Sequence, residues 1–122
     1  MSAVSFDSNI LIDALRDDDR AQTELERVDD RWISRITWIE VMSRVDEVTI
    51  KPTASLLSAF RIDELDAEIA ARAAMLRNER PSLKLPDAVI LASAQVRGRI
   101  LVTRNTKDFP AKLPGIRVPY TL

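Results

Sequence analysis

The chain has 122 residues, 46% of them hydrophobic and 30% charged, a balance that describes a folded globular protein and not a disordered one. It contains no cysteine and no histidine, which excludes disulfides, thiolate zinc sites, Ser-His-Asp hydrolases and the usual transition-metal centres. With a formal net charge of −1 the molecule does not advertise itself as a nucleic-acid binder, so a phosphate substrate would need local Lys or Arg, or a bound metal.

Ala3 to Phe6 reads as a short buried strand. Asp7, Ser8 and Asn9, all good capping residues, follow at once and lead into a helix from Ile10 to Leu15. The run Asp17 to Asp19 is expected to be a solvated loop and helix start, and Ala21 to Val28 an exposed helix. Arg31 to Ser34 is a second strand. Thr37 opens a helix in which Trp38, Val41, Met42 and Val45 recur at helical spacing. Pro52 to Ser58 predicts a brief helix begun by Pro52, and Phe60 to Ile62 a third strand. Asp66 caps a long Ala-rich helix over Ala67 to Glu79, with Ile69, Ala70, Ala73 and Leu76 as its buried stripe.

The most apolar stretch, Ala88 to Val96, predicts a helix buried on several sides, with Pro86 in its first position and Gly98 just past its end. Ile100 to Thr103 is the clearest strand, Arg104 to Phe109 a polar loop, and Ile116 to Val118 a last edge strand. Trp32 and Trp38 are expected in the core, each lying in an apolar pattern. One domain is expected over residues 1–122, and it has no run near the roughly 18 apolar residues of a membrane span. The N-terminus lacks a basic segment of the signal-peptide kind, so a cytoplasmic chain is expected. Strands alternating with helices predict an α/β fold of three layers, α/β/α, around a mostly parallel sheet of about five short strands.

In such folds ligands gather outside the carboxyl ends of the strands. Asp7 follows the first strand, Glu40 comes soon after the second, Asp87 starts the helix leading into the fourth, and Asn105 and Asp108 follow the fourth. Each acid has a plain structural reading. Thr37 and Glu40 fit a capping box, Asp7 a helix cap, and Asp87 a favourable charge at a helix start worth about 0.3–1 kcal/mol. Convergence of all of them at one rim would be different in kind. Crowded carboxylates raise one another's pKa, and a hard dication, Mg²⁺ or Mn²⁺ for an oxygen-only ligand set, removes that penalty. Such ions polarise phosphoryl oxygens and activate water without any histidine. Ser8, Asn9 and Thr103 would point into the same rim, while Lys84, Arg104 and Lys107 are either solvated charges or phosphate contacts.

Four blocks in order carry a resemblance: Phe6-Asp-Ser-Asn-Ile-Leu-Ile-Asp13, Trp38-Ile-Glu-Val-Met42, Leu85-Pro-Asp-Ala-Val-Ile-Leu-Ala-Ser-Ala94 and Leu101-Val-Thr-Arg-Asn-Thr-Lys-Asp-Phe109. Together they resemble the PIN-domain ribonucleases, and among them the VapC toxins of bacterial toxin–antitoxin pairs. The resemblance implies a Mg²⁺- or Mn²⁺-dependent endonuclease acting on RNA. It implies Asp7, Glu40, Asp87 and Asp108 as the catalytic acids, with Asp7 and Asp87 as direct metal ligands and Ser8, Asn9, Thr103, Arg104 and Asn105 in support. Many relatives carry Asp where Asn105 stands, and here the nearest acid is Asp108. A cognate VapB-type antitoxin and a homodimer are also implied. Two other classes remain in view: an inactive PIN-like scaffold that binds RNA or protein, and a receiver-like phospho-acceptor. The second is weakened because Ser8 and Asn9, not an acid, follow Asp7 and no middle strand ends in Asp.

Overall fold

The computed structural model describes residues 3–121, leaving Met1, Ser2 and Leu122 outside the description. In chain order the elements are β1 (Val4–Phe6), α1 (Ser8–Leu15), α2 (Asp19–Glu26), β2 (Arg31–Ser34), α3 (Arg35–Met42), α4 (Ile50–Leu57), β3 (Arg61–Asp63), α5 (Ala67–Glu79), α6 (Leu85–Val96), β4 (Ile100–Val102) and β5 (Ile116–Arg117). The five strands form one all-parallel sheet in the order β3-β2-β1-β4-β5. Parallel strands need crossovers, and the helices supply them on both faces, producing the three-layer α/β/α arrangement.

Alternation along the strands divides the core in two. Val4 and Phe6 of β1, Ile33 of β2 and Val102 of β4 pack with Ile10, Leu11, Val41 and Leu57 on one face. Leu101 of β4 packs on the other with Ile69, Leu83, Ile90 and Phe109. Helix α6 is buried from Ala88 through Ala94, as its apolar composition predicts, and the one hydroxyl there, on Ser93, donates to the Val89 carbonyl at 2.8 Å. Gly98 has φ +67°, a left-handed conformation that suits glycine just beyond the helix.

Local chemistry sets several boundaries differently from the periodicity. Helix α3 starts directly at the end of β2, capped by Ser34, whose Oγ accepts from the Ile36 N–H at 3.1 Å. Thr37 is therefore inside the helix, fully buried, and its hydroxyl has no hydrogen-bond partner. The capping box expected of Thr37 and Glu40 does not form, because β2 runs into α3 with no intervening loop. Helix α4 begins two residues before Pro52, at Ile50, after a turn closed by the Asp46 carboxylate on the Val48 and Thr49 amides. Pro86 is the second residue of α6, not the first. The stripe of α5 is Ile69, Ala73 and Leu76, and Ala70 is exposed.

Neither tryptophan is a core residue: both are only partly buried. Trp32 is held between two guanidinium groups, with Arg99 3.9 Å and Arg61 4.4 Å from the ring centroid. Arg35 lies 5.2 Å over Trp38. Delocalised cations of this kind stack favourably on indole faces.

Candidate active site

Strand β1 lies between β2 and β4, so successive crossovers leave it in opposite directions. The carboxyl ends of β1 and β4 therefore border a topological switch point, where open parallel sheets form their crevice. Asp7 follows β1 and Thr103 follows β4, and the Asp7 N–H extends the ladder by donating to the Val102 carbonyl at 2.9 Å.

Asp7 is 3% exposed and caps α1. One carboxylate oxygen accepts from the Ser8 N–H at 2.7 Å, and the other accepts from the Thr103 hydroxyl at 2.8 Å and the Asn9 amide at 3.3 Å. Asn9 also donates to Thr103 Oγ1 at 3.3 Å, and the Asn105 N–H donates to the same oxygen at 3.0 Å. Burial nonetheless holds the Asp7 carboxyl above its ordinary range, the donors from Thr103 and Ser8 only partly offsetting it. The cap reading of Asp7 is thus correct as far as it goes, but the second oxygen is committed across the crevice to β4.

Glu40 is on the second turn of α3 and is joined to this cluster through Ser8, whose hydroxyl donates to Glu40 Oε1 at 3.0 Å. Burial and the nearby Asp7 charge raise its pKa, the Ser8 bond opposing them. Asp87, in the first turn of α6, is pushed up to about 6 by burial first, then by the charges of Asp7, Asp108 and Glu40 and by hydrogen bonding with Asp108. Asp108 is fixed from its own loop: its carboxylate accepts from the Asn105 amide at 2.9 Å, and its N–H donates to Asn105 Oδ1 at 3.3 Å. Four acids from four separate segments thus act electrically on Asp87, or are Asp87 itself.

The donors gathered here are carboxylate, hydroxyl and amide oxygens, the set a hard dication takes. The raised pKa of Asp87 is the charge imbalance that such an ion relieves. Among the described residues, no three acids are drawn together tightly enough to enclose an ion unaided. The fit therefore lies in donor chemistry and electrostatics, with Asp7, Asp108 and Glu40 all acting on Asp87.

Arg104, expected either in support of the site or as a phosphate contact, is committed to Asp13. Its guanidinium binds the Asp13 carboxylate twice, at 2.6 and 3.0 Å, and its backbone N–H donates to Asn9 Oδ1 at 3.3 Å. Tyr120 also donates to Asp13, at 2.8 Å. Asp13 is 4% exposed, and a buried acid requires such partners. This buttress behind Asn9 was missed in the sequence, although an acid on the apolar face of α1, between Leu11 and Ala14, was the signal for it. Lys84 and Lys107 remain exposed, and with Arg80, which the sequence did not single out, they line a cleft beside Asp108.

A fold of this order, with its acids at the switch point, defines a class, and comparison with known proteins agrees. The model of the PIN domain family matches residues 4–112, and the chain belongs to that family. In the solved structures, a chain of a toxin–antitoxin complex from Klebsiella pneumoniae is 44% identical, with a TM-score of 0.90 over 98% of this chain and 99% of its own. DNA-bound VapBC from Salmonella typhimurium matches at 22% identity and a TM-score of 0.82, covering 96% of each chain. FitAcB from Neisseria gonorrhoeae matches at 24% identity and 0.80, covering 98% of this chain and 99% of the other. The last two show likeness of fold alone. No curated protein matches the chain. The resemblance to VapC-type toxins carried by the four sequence blocks is borne out by the family match and the Klebsiella structure.

Proposed function

We propose that this chain is a Mg²⁺- or Mn²⁺-dependent endoribonuclease, the toxin of a VapBC-type toxin–antitoxin pair. The observation that carries the reading is the grouping of acids at the switch point. There Ser8 joins Glu40 to Asp7, Thr103 holds Asp7, and burial, then the charges of Asp7, Asp108 and Glu40, push Asp87 up to about 6. A histidine-free cluster of that kind suits phosphodiester hydrolysis. Asp7 and Asp87 would hold the ion, with Asp108 beside them in place of an acid at Asn105. Bound there, the ion supplies Lewis-acid polarisation of the phosphate. Glu40, elevated in pKa and aimed by Ser8, takes the proton of the attacking water. The new P–O bond forms in line as the bond to the 3′-oxygen breaks, and that oxygen takes a proton from solvent, leaving a 5′-phosphate and a 3′-hydroxyl. Thr103 and Asn9 keep the Asp7 carboxylate in one orientation.

The test is cleavage of single-stranded RNA by the purified protein. Cleavage requires Mg²⁺ or Mn²⁺, stops in EDTA, and is lost in Asp7→Asn and Asp87→Asn. Turnover that persists in EDTA or in both variants rejects the mechanism. Tight RNA binding with no turnover at any dication concentration would instead make the chain an inactive scaffold.

A VapB-type antitoxin is the proposed protein partner, supported by the toxin–antitoxin complex to which the chain is 44% identical. A groove of about 340 Å³ between α1, α3 and α4, lined by Ile12, Leu15, Val41 and Val45 together with Arg16 and Arg44, suits an amphipathic segment of that partner. The homodimer is proposed on the resemblance alone.

A further inference from the structure

The carboxylates raise a difficulty for the proposed substrate, since a polyanion must approach four acids. Coulomb repulsion at close range is not small even in a moderately polar medium. Cations next to the acids would relieve it, and the structure offers one concentrated group. A cleft of about 540 Å³ is lined by Arg80, Ser82, Lys84, Lys107, Asp108 and Pro110. Asp108 forms its wall and also belongs to the acidic cluster. Lys84 immediately precedes α6, whose first turn carries Asp87, and no side chain caps that helix start. Three cations thus line one cleft with Asp108, and one of them, Lys84, lies within a turn of Asp87 along the chain.

The other candidate cation is already committed. Arg104 is neutralised by Asp13 in a paired, two-bond contact. Among the described residues neither Lys84 nor Lys107 makes an ion pair. Arg80 donates to the Asp108 backbone carbonyl and stands 3.9 Å from its carboxylate. That bond uses one of five guanidinium donors and places the group at the cleft.

We propose that the cleft of Arg80, Ser82, Lys84 and Lys107 binds a backbone phosphate of single-stranded RNA, next along the strand from the phosphodiester at the acidic cluster. The inference rests on the ribonuclease reading and adds to it where the strand lies. Phosphate contacts of this kind position a strand without reading its sequence.

The test is RNA binding by Lys84→Gln, Lys107→Gln and the double variant, each on an Asp87→Asn background with Mg²⁺ present. Both lysines are exposed, so folding is not at stake. Fluorescence anisotropy of a short labelled single-stranded RNA is followed against salt concentration. Loss of the one phosphate contact in the double variant lowers the slope of log affinity against log salt by about 0.7, and each single variant by no more than that. An unchanged slope in the double variant, with the wild-type chain still cutting RNA, overturns the cleft and leaves the ribonuclease reading standing. A wild-type chain that neither binds nor cuts RNA overturns both. Weakened binding of polyglutamate with RNA binding unaltered overturns the proposal in favour of an acidic protein segment.

Discussion

Asp87 bears the electrostatic strain of the cluster. Its folded pKa of about 6 exceeds the roughly 3.9 of an unfolded aspartate. The folded state therefore holds this proton more tightly, and the stability so conferred is complete below about pH 4 and lost as pH rises through about 6. After allowance for its partial exposure the effect is about 1–2 kcal/mol. Asp87→Asn removes the penalty: in EDTA at about pH 7 the variant melts higher than wild type, by about 5 °C, and near pH 4 the two coincide. Added Mg²⁺ reverses the order, because binding at a hundredfold excess over Kd stabilises wild type alone by about 2.7 kcal/mol. Thermal melts by circular dichroism decide this, and identical curves at both pH values would contradict the coupling. That Asp7, Glu40 and Asp87 come near one another was legible from type, spacing and resemblance. A carboxylate contact was open to the Thr103 hydroxyl, but that its partner is Asp7 was not legible, because the two side chains are 96 positions apart.

Helix α3 shows how a local signal can be real in form and wrong in place. A Thr followed three residues later by Glu is a capping box by spacing, yet the cap is Ser34 and Thr37 is buried without a partner. An unpaired buried hydroxyl costs roughly 1–3 kcal/mol. Thr37→Val, of equal shape, is therefore expected to stabilise the protein by about 1 kcal/mol, whereas Ser34→Ala costs about 1 kcal/mol. Urea denaturation of the two variants separates the cases, since a capping Thr37 would make Thr37→Val destabilising and leave Ser34→Ala near neutral. The same misplacement leaves Glu40 free of any capping duty, so its carboxylate is available to Ser8. Elements with strong periodicity and unambiguous caps, α5 after Asp66 and β2, were read to the residue. Those beginning without a loop were not.

At the scale of the molecule, one arginine spans the sheet. Arg99, just before β4, reaches Ser5 of β1 at 3.4 Å, stacks on Trp32 of β2, and binds Asp63 of β3 at 2.6 and 3.1 Å. The Arg99 and Asp63 side chains are 9% and 2% exposed. Removing one member of a buried pair strands the other, at about 3–5 kcal/mol. Arg99→Ala is expected to lower the melting temperature by more than about 10 °C, while Arg97→Ala, whose pairs are nearer to solvent, changes it by a few degrees. Comparable losses in the two variants would show that the span is not what ties the strands.

By itself the chain's sequence determined the alternation of strands and helices, the burial of α6, the absence of histidine and cysteine chemistry, and which acids could serve a hard cation. These follow from local spacing and residue type, which act over a few positions. Tertiary structure alone decided the strand order that creates the crevice, the commitment of Arg104 to Asp13, and the gathering of Arg80, Lys84 and Lys107 beside Asp108. Each of those depends on contacts between distant segments. Such contacts are selected by the packing of the two apolar faces of the sheet, and no local propensity encodes them.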